Sequence, residues 1–348
     1  MTVDSLGVGS ALAALPEQLA SAHERAGMID GAQLPAAGTV TNVVVLGMGG
    51  SGIVGDIVQT VASGTVPVPV LTLKQYRTPA YVGPRTLAFA VSYSGDTEET
   101  VSMASSALDA GAQLVAISRG GALAALARER GALHVSCSPD IPMPRLALGE
   151  LLAPVVVVLS RLGMMPEAHA GLVMAQQQLH VRREQCRVEV DVSSNPAREL
   201  ARRIDRTIPV VYGAGALGGV AAMRWKQSIN ENAKAPAYWN QYPELDHNEV
   251  CSWGQHGDVT RQLVTLVQLR HGLEHAQLGR RVAATEELVD EAVHQVLRVD
   301  AEGEGRLAQL LDLVYLGDWT SYYVALANDV DPGPIDAIAQ LKSRLADT

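Results

Sequence analysis

The sequence predicts an α/β protein built on parallel sheets, and three observations carry that prediction. Short apolar runs alternate with segments of helical spacing along most of the chain. Ala, Val, Leu and Gly dominate and aromatics are few, as suits helices packed on strands that are buried on both faces. A strand, a glycine-rich turn and a helix occur in that order twice, from Asn42 and again from Ile208, which points to two copies of one αβ unit. A length of 348 residues agrees with two domains.

Residues 9–27 have helical spacing and form an outer helix. Asn42–Leu46 is a buried strand, Gly47-Met-Gly-Gly-Ser-Gly52 follows, and 53–61 is helical. The missing side chains at Gly49 and Gly50 let a ligand approach the backbone. The helix start beside Ser51 offers N–H groups and positive potential, so this is a phosphate-binding geometry. The alternative is a tight turn and nothing more. Gly47-x-Gly49-x-x-Gly52 also matches the dinucleotide fingerprint, which needs an acid about 20 positions on, at the end of the second strand. That strand, 68–73, ends in Lys74 with Arg77 nearby, which argues against NAD and leaves an NADP-dependent oxidoreductase open.

Residues 86–94 form the next strand, and Asp96 and Glu99 have the spacing of a capping box at a helix start. Ser92, Ser94 and Thr97 either shape that start or donate hydroxyls to a phosphate. Asp96, Glu98 and Glu99 oppose a phosphate unless they point away. Two hydroxyl-rich turns in one parallel sheet converge at its carboxyl edge, where such folds bind ligands. The alternation continues through a strand at 113–117, a helix at 122–129 and a strand at Leu133–Ser136. Pro142-Met-Pro-Arg145 then enters a long apolar helix ending near Gly163. The prolines fix the place of Arg145, which on spacing alone reads as a surface arginine.

Residues 166–192 are a helical, charge-mixed connector, and the boundary between an N-terminal part (1–165) and a C-terminal part (193–348) falls there. The second cycle has a strand at 208–212, the turn Gly213-Ala-Gly-Ala-Leu-Gly-Gly219, and a helix carrying Arg224 to Lys234. This turn lacks the serine and is bulkier at Leu217, so it keeps the fold without phosphate binding. Strands at 263–269 and 292–299 and helices at 278–290 and 306–328 complete the unit.

The helix carrying Arg224 ends by Ala235, because Pro236 disfavours helix in the residue before it. Arg224, Gln227 and Glu231 share one helical face. Glu231 stands between Asn230 and Asn232, poor helix formers that point to a polar pocket. His247 follows in Glu-Leu-Asp-His-Asn-Glu. A carboxylate and a histidine are the minimum set for moving protons between carbon and oxygen. The plainer alternative pairs Glu231 with Lys234 and leaves His247 in a loop. In the tail, Ile335, Ile338, Leu341 and Leu345 form an apolar stripe with Lys342 at its edge, where a lysine either keeps its head in water or reaches into a site.

A net charge of −10 argues against nucleic acid as a partner. Three scattered cysteines without metal spacing fit a reducing cytoplasm, and neither a signal peptide nor a membrane span is expected.

With these motifs placed, the chain resembles the sugar isomerase (SIS) family, and within it the bifunctional phosphoglucose/phosphomannose isomerases. The resemblance rests on Gly47–Gly52, Val91-Ser-Tyr-Ser-Gly-Asp-Thr97, Arg145, Asn230-Glu-Asn-Ala-Lys234, Pro243-Glu-Leu-Asp-His-Asn-Glu249 and Leu341-Lys342. It implies two flavodoxin-like αβα subdomains with five-stranded parallel sheets, and a homodimer with active sites near the interface. It further implies a hexose 6-phosphate substrate held by Gly49, Gly50, Ser51, Ser92, Ser94 and Thr97. Glu231 would shuttle a proton between C1 and C2, Arg145 would steady an enediolate, and His247 and Lys342 would open the ring. No metal or organic cofactor is implied. A non-catalytic sugar-phosphate regulator of the same fold is the alternative.

Overall fold

The structure is a computed structural model that describes residues 3–346. The expected outer helix is two helices, α1 (Val8–Ala13) and α2 (Leu15–Gly27). The break lies just ahead of Pro16, which lacks an N–H and belongs in a first turn. The first sheet and its helices follow as β1 (Asn42–Leu46), α3 (Gly49–Ala62), β2 (Val70–Leu73), β3 (Thr86–Val91), α4 (Glu98–Asp109), β4 (Gln113–Ser118), α5 (Gly121–Glu129) and β5 (Leu133–Ser136). All five strands are parallel, in the order β2-β1-β3-β4-β5. The order reverses between β1 and β3, and there the carboxyl ends leave a crevice. Every residue of β3 is buried, as a central strand covered on both faces requires.

Next come α6 (Leu148–Arg161), α7 (Ala168–Cys186) and α8 (Pro196–Ile204). The second unit comprises β6 (Ile208–Ala214), α9 (Gly215–Ser228), a π-helical turn (Ile229–Ala233), β7 (Tyr238–Tyr242), α10 (Gly257–Leu263), β8 (Val264–Arg270), α11 (Ala276–Val289) and β9 (Gln295–Asp300). Its sheet runs β7-β6-β8-β9, again all parallel. It repeats the order of the first sheet without a fifth strand, which corrects the expectation of two five-stranded sheets. After β9 the apolar residues recur at helical, not alternating, spacing, and the chain forms α12 (Arg306–Ala327).

Helix α12 is buried almost all round and packs on α7, α8 and α9. Through it Trp225 and Trp319 of the second half share one core with Val45 and Leu151 of the first. Strand β7 was not expected, because Tyr-Trp-Asn-Gln-Tyr shows no apolar alternation. It is an edge strand with Tyr238 and Trp239 exposed. The chain closes on α13 (Asp336–Ala346). Among the described residues no helix is long and apolar enough to cross a membrane.

Candidate active site

The crevice between β1 and β3 is bounded by two turns. In the first, Gly49 takes a left-handed φ of 50° and starts α3. A Cβ on Gly50 would lie 2.7 Å from the Cα of Arg145, so the loop carrying Arg145 packs directly on this helix start. The Ser51 Oγ accepts a hydrogen bond from the Tyr93 N–H at 3.3 Å, which ties the first turn to the second. There Ser92 is buried, donates to the Thr97 Oγ1 at 2.9 Å and accepts from the Gly95 N–H at 3.2 Å. Ser94 accepts from the Asp96 N–H at 3.2 Å. Ser51, Ser92, Ser94 and Thr97 therefore gather at one edge.

The capping box does not form. Thr97 precedes α4 without a side-chain cap, and Asp96 instead accepts from the Ala122 N–H at 2.9 Å, at the start of α5. The Asp96 carboxylate is spent on a neighbouring helix start. Lys74 forms an ion pair with Asp56.

Across the crevice, α9 loosens into the π turn, a distortion often found at functional sites. The turn ends at Lys234 with a left-handed φ of 54°, ahead of Pro236 as expected. Arg224 is buried and gives Nε and Nη2 to Asp318 of α12 at 3.0 and 3.1 Å, with Nη2 also donating to the Arg145 carbonyl at 2.7 Å. Asn232 donates to Ser321 at 2.9 Å and accepts from the Arg145 Nε at 2.9 Å. The Arg145 Nη2 donates to the carbonyls of Pro332 and Gly333 at 2.6 and 2.8 Å. At 4% exposure Arg145 is no surface arginine, and its Nη1 makes no hydrogen bond among the described residues. Burial lowers its pKa, and the nearby Glu231 opposes that shift.

The Glu231 Oε2 lies 3.9 Å from the Arg145 Nε, and its side chain is 23% exposed. Glu231 opens onto a cleft of about 530 Å³ shared with Asn230, Lys234, Asp331 and Ile338, a size that suits a small ligand. The plainer pairing with Lys234 is absent. The Lys234 Nζ instead donates to the backbone carbonyls of Glu231, Asn232 and Asp331 at 2.9, 3.3 and 2.8 Å. The expected pair of amides around the carboxylate is also absent. Asn230 bonds the Ala235 carbonyl at 2.8 Å and Asn232 serves Arg145.

Among the described residues no hydrogen bond or ion pair joins His247 or Lys342 to Glu231, although Lys342 stands one turn beyond Ile338, which lines the Glu231 cleft. His247 is exposed on a short 3₁₀ turn (Glu244–His247), and its side chain makes no hydrogen bond or ion pair among the described residues. Its neighbours are anchored: Asp246 accepts from Arg281 and Thr285 at 2.9 and 3.0 Å, and Glu249 from the Tyr212 hydroxyl at 2.6 Å. Lys342 is exposed on α13, and the apolar stripe beside it is exposed too, at Ile338, Leu341 and Leu345. Among the described residues no group of three or more His, Cys, Asp or Glu side chains is placed to hold a metal.

A family described as the bacterial phospho-glucose isomerase C-terminal SIS domain matches residues 193–345. A bifunctional phosphoglucose/phosphomannose isomerase of Caldicellulosiruptor bescii is 34% identical over 333 residues, spanning 96% of this chain and 97% of that protein. One of Thermoplasma acidophilum is 32% identical, spanning 89% and 91%. The chain belongs to this isomerase family. Its fold also matches the C-terminal domain of a glucosamine-fructose-6-phosphate aminotransferase from Francisella tularensis, with a TM-score of 0.69 at 14% identity, covering 93% of this chain and 97% of that one.

Within the isomerase fold, sequence reasoning missed Asp318 and the Pro332 and Gly333 carbonyls. Asp318 had a readable signal shared with Asp312: both are acids inside the largely apolar stretch of α12. The two carbonyls had none, since backbone acceptors leave no mark on a sequence.

Proposed function

We propose that the chain interconverts glucose 6-phosphate and mannose 6-phosphate with fructose 6-phosphate through a cis-enediol. The observation that carries this reading is the 3.9 Å approach of Glu231 to Arg145, a residue whose backbone packs on Gly50 beside Ser51. Arg145 thus links the acid to the turn that carries Ser51. In this reading Gly49, Gly50, Ser51, Ser92, Ser94 and Thr97 hold the phosphate. Glu231 takes a proton from one of C1 and C2 and returns it to the other. The free Nη1 edge of Arg145 faces the charge that develops on the enediolate, where a fixed cation in a water-poor cleft acts most strongly. No metal or organic cofactor enters the scheme.

His247 and Lys342 open the sugar ring in the same reading. The exposure of His247, whose side chain makes no hydrogen bond or ion pair among the described residues, supports a homodimer in which a second copy supplies it. The halves meet at the 166–192 connector, and we place the enzyme in the cytoplasm.

A coupled assay with both 6-phosphates tests the proposal, and absence of turnover with either would sink it. Glu231→Gln is expected to keep the rise in Tm on adding substrate while losing about a hundredfold or more in kcat. Full activity in that variant would show that the base is misassigned.

A further inference from the structure

The hydroxyl cradle has no cation of its own, and its nearest charged neighbours in the chain, Asp96, Glu98 and Glu99, are acids. A phosphate ester with its second pKa near 6 carries close to two negative charges at pH 7. Lys74 and Arg145, two cations at this edge of the first sheet, are committed. Lys74 is paired with Asp56, and Arg145 gives Nε and Nη2 to Asn232, Pro332 and Gly333.

Arg119 is different. It directly follows β4, and its N–H donates to the Tyr93 carbonyl at 2.9 Å. Its Cζ stands 5.5 Å from the centroid of the Tyr93 ring. Its guanidinium makes no hydrogen bond or ion pair among the described residues and is exposed. Tyr93 lies between Ser92 and Ser94, and its own N–H holds the Ser51 Oγ. Its ring is buried, and its hydroxyl bonds the Ser138 carbonyl at 2.8 Å and the Ile141 N–H at 3.2 Å. The Tyr93 backbone is thus part of the cradle, and its ring, fixed between the cradle and the Ser138–Ile141 segment, carries an uncommitted guanidinium whose own N–H is bonded to the Tyr93 carbonyl. Arg77, the other uncommitted arginine at this edge, follows β2 without such a platform.

We propose that Arg119 binds the phosphate of the substrate, a role that rests on the isomerase reading for the sugar but not for the anion. A planar guanidinium suits the task because it offers two parallel N–H donors to phosphate oxygens. Held beside neutral hydroxyls, it would supply the positive charge that the cradle lacks.

The test compares Arg119→Gln, Arg119→Lys and Arg77→Gln. In R119Q the KM for fructose 6-phosphate should rise about tenfold or more, and competitive inhibition by inorganic phosphate should weaken by the same factor. Its kcat should stay within about twofold, the signature of lost uniform binding. R119K should recover part of the affinity, and R77Q should change neither constant. Unaltered KM and phosphate inhibition in R119Q, a loss confined to kcat, or the effect appearing in R77Q instead would each overturn the proposal. The rise in Tm of the wild-type protein on adding inorganic phosphate separates the two readings. If turnover is absent yet R119Q abolishes that rise, the isomerase reading has failed and the anion site stands.

Discussion

The turn after β1, Gly47-Met-Gly-Gly-Ser-Gly52, and the turn after β6, Gly213-Ala-Gly-Ala-Leu-Gly218, align residue for residue. Both have a left-handed glycine at the third position, Gly49 with φ 50° and Gly215 with φ 61°. In both the outer glycines touch. A Cβ on Gly52 would lie 2.7 Å from the Gly47 carbonyl oxygen, and one on Gly218 would lie 2.8 Å from the Gly213 carbonyl carbon. The difference lies in what each turn faces. Ser51 is bonded by the Tyr93 N–H of the hydroxyl-rich 92–97 turn, whereas Leu217 is buried and His271 bonds the Ala214 carbonyl beside it. The His271 Nδ1 accepts from the Leu273 N–H at 3.2 Å, so its Nε2 carries the proton and donates to the Ala214 carbonyl at 3.0 Å. The glycine pattern therefore specifies a backbone, and the residues standing opposite decide whether an anion can enter.

Four substitutions would sharpen or break that contrast. Gly50→Ala should cost most, because its Cβ would strike the Arg145 backbone and displace the arginine next to Glu231. A displacement of about 1 Å commonly costs about a hundredfold in rate, and kcat/KM should fall accordingly. An active G50A would show that the close packing at the first turn is incidental. Ser51→Ala removes one hydroxyl and leaves the Tyr93 N–H unpaired, so KM for fructose 6-phosphate should rise about tenfold. Equal kinetics in S51A and wild type would erase the contrast with Leu217.

The second turn should respond in stability and not in chemistry. Leu217→Ala is expected to lower unfolding free energy by about 2–5 kcal/mol in a denaturant titration. Activity per folded molecule should change by less than about twofold. A specific loss of activity in L217A would give the second turn a catalytic part. The smallest effect is expected at His271, whose pKa burial holds below its ordinary 6.5. A folded state that prefers the neutral ring is stabilised above the unfolded value and loses that contribution as pH falls through the folded one. Between about pH 7 and about pH 5, wild-type Tm should therefore drop more than that of His271→Gln. Parallel drops would remove the imidazole as a support of the second turn.

Much of this was legible because the signals are local. The apolar run of β1, the glycines after it, and Asn230-Glu231-Asn232 before Pro236 each declare themselves within a few residues. What escaped depends on distant partners. Asp96 has the spacing to cap its own helix yet caps α5, through Ala122, 26 residues on. The sequence neighbours of Arg145 say nothing of Asn232 or Gly333, the latter 188 positions away. The amides around Glu231 were readable as polar, but their targets, the Ala235 carbonyl and the Arg145 guanidinium, were not. Strand β7 was hidden because an edge strand need not be apolar.

The clasp of Pro332 and Gly333 on Arg145 bears on how the enzyme comes to life on the ribosome. Every strand of both sheets has been made by Asp300, yet the two carbonyls that steady the arginine arrive more than thirty residues later. A nascent or prematurely ended polypeptide that stops short of that clasp would have both sheets and an untethered guanidinium, so competence is conferred only after the sheets are complete.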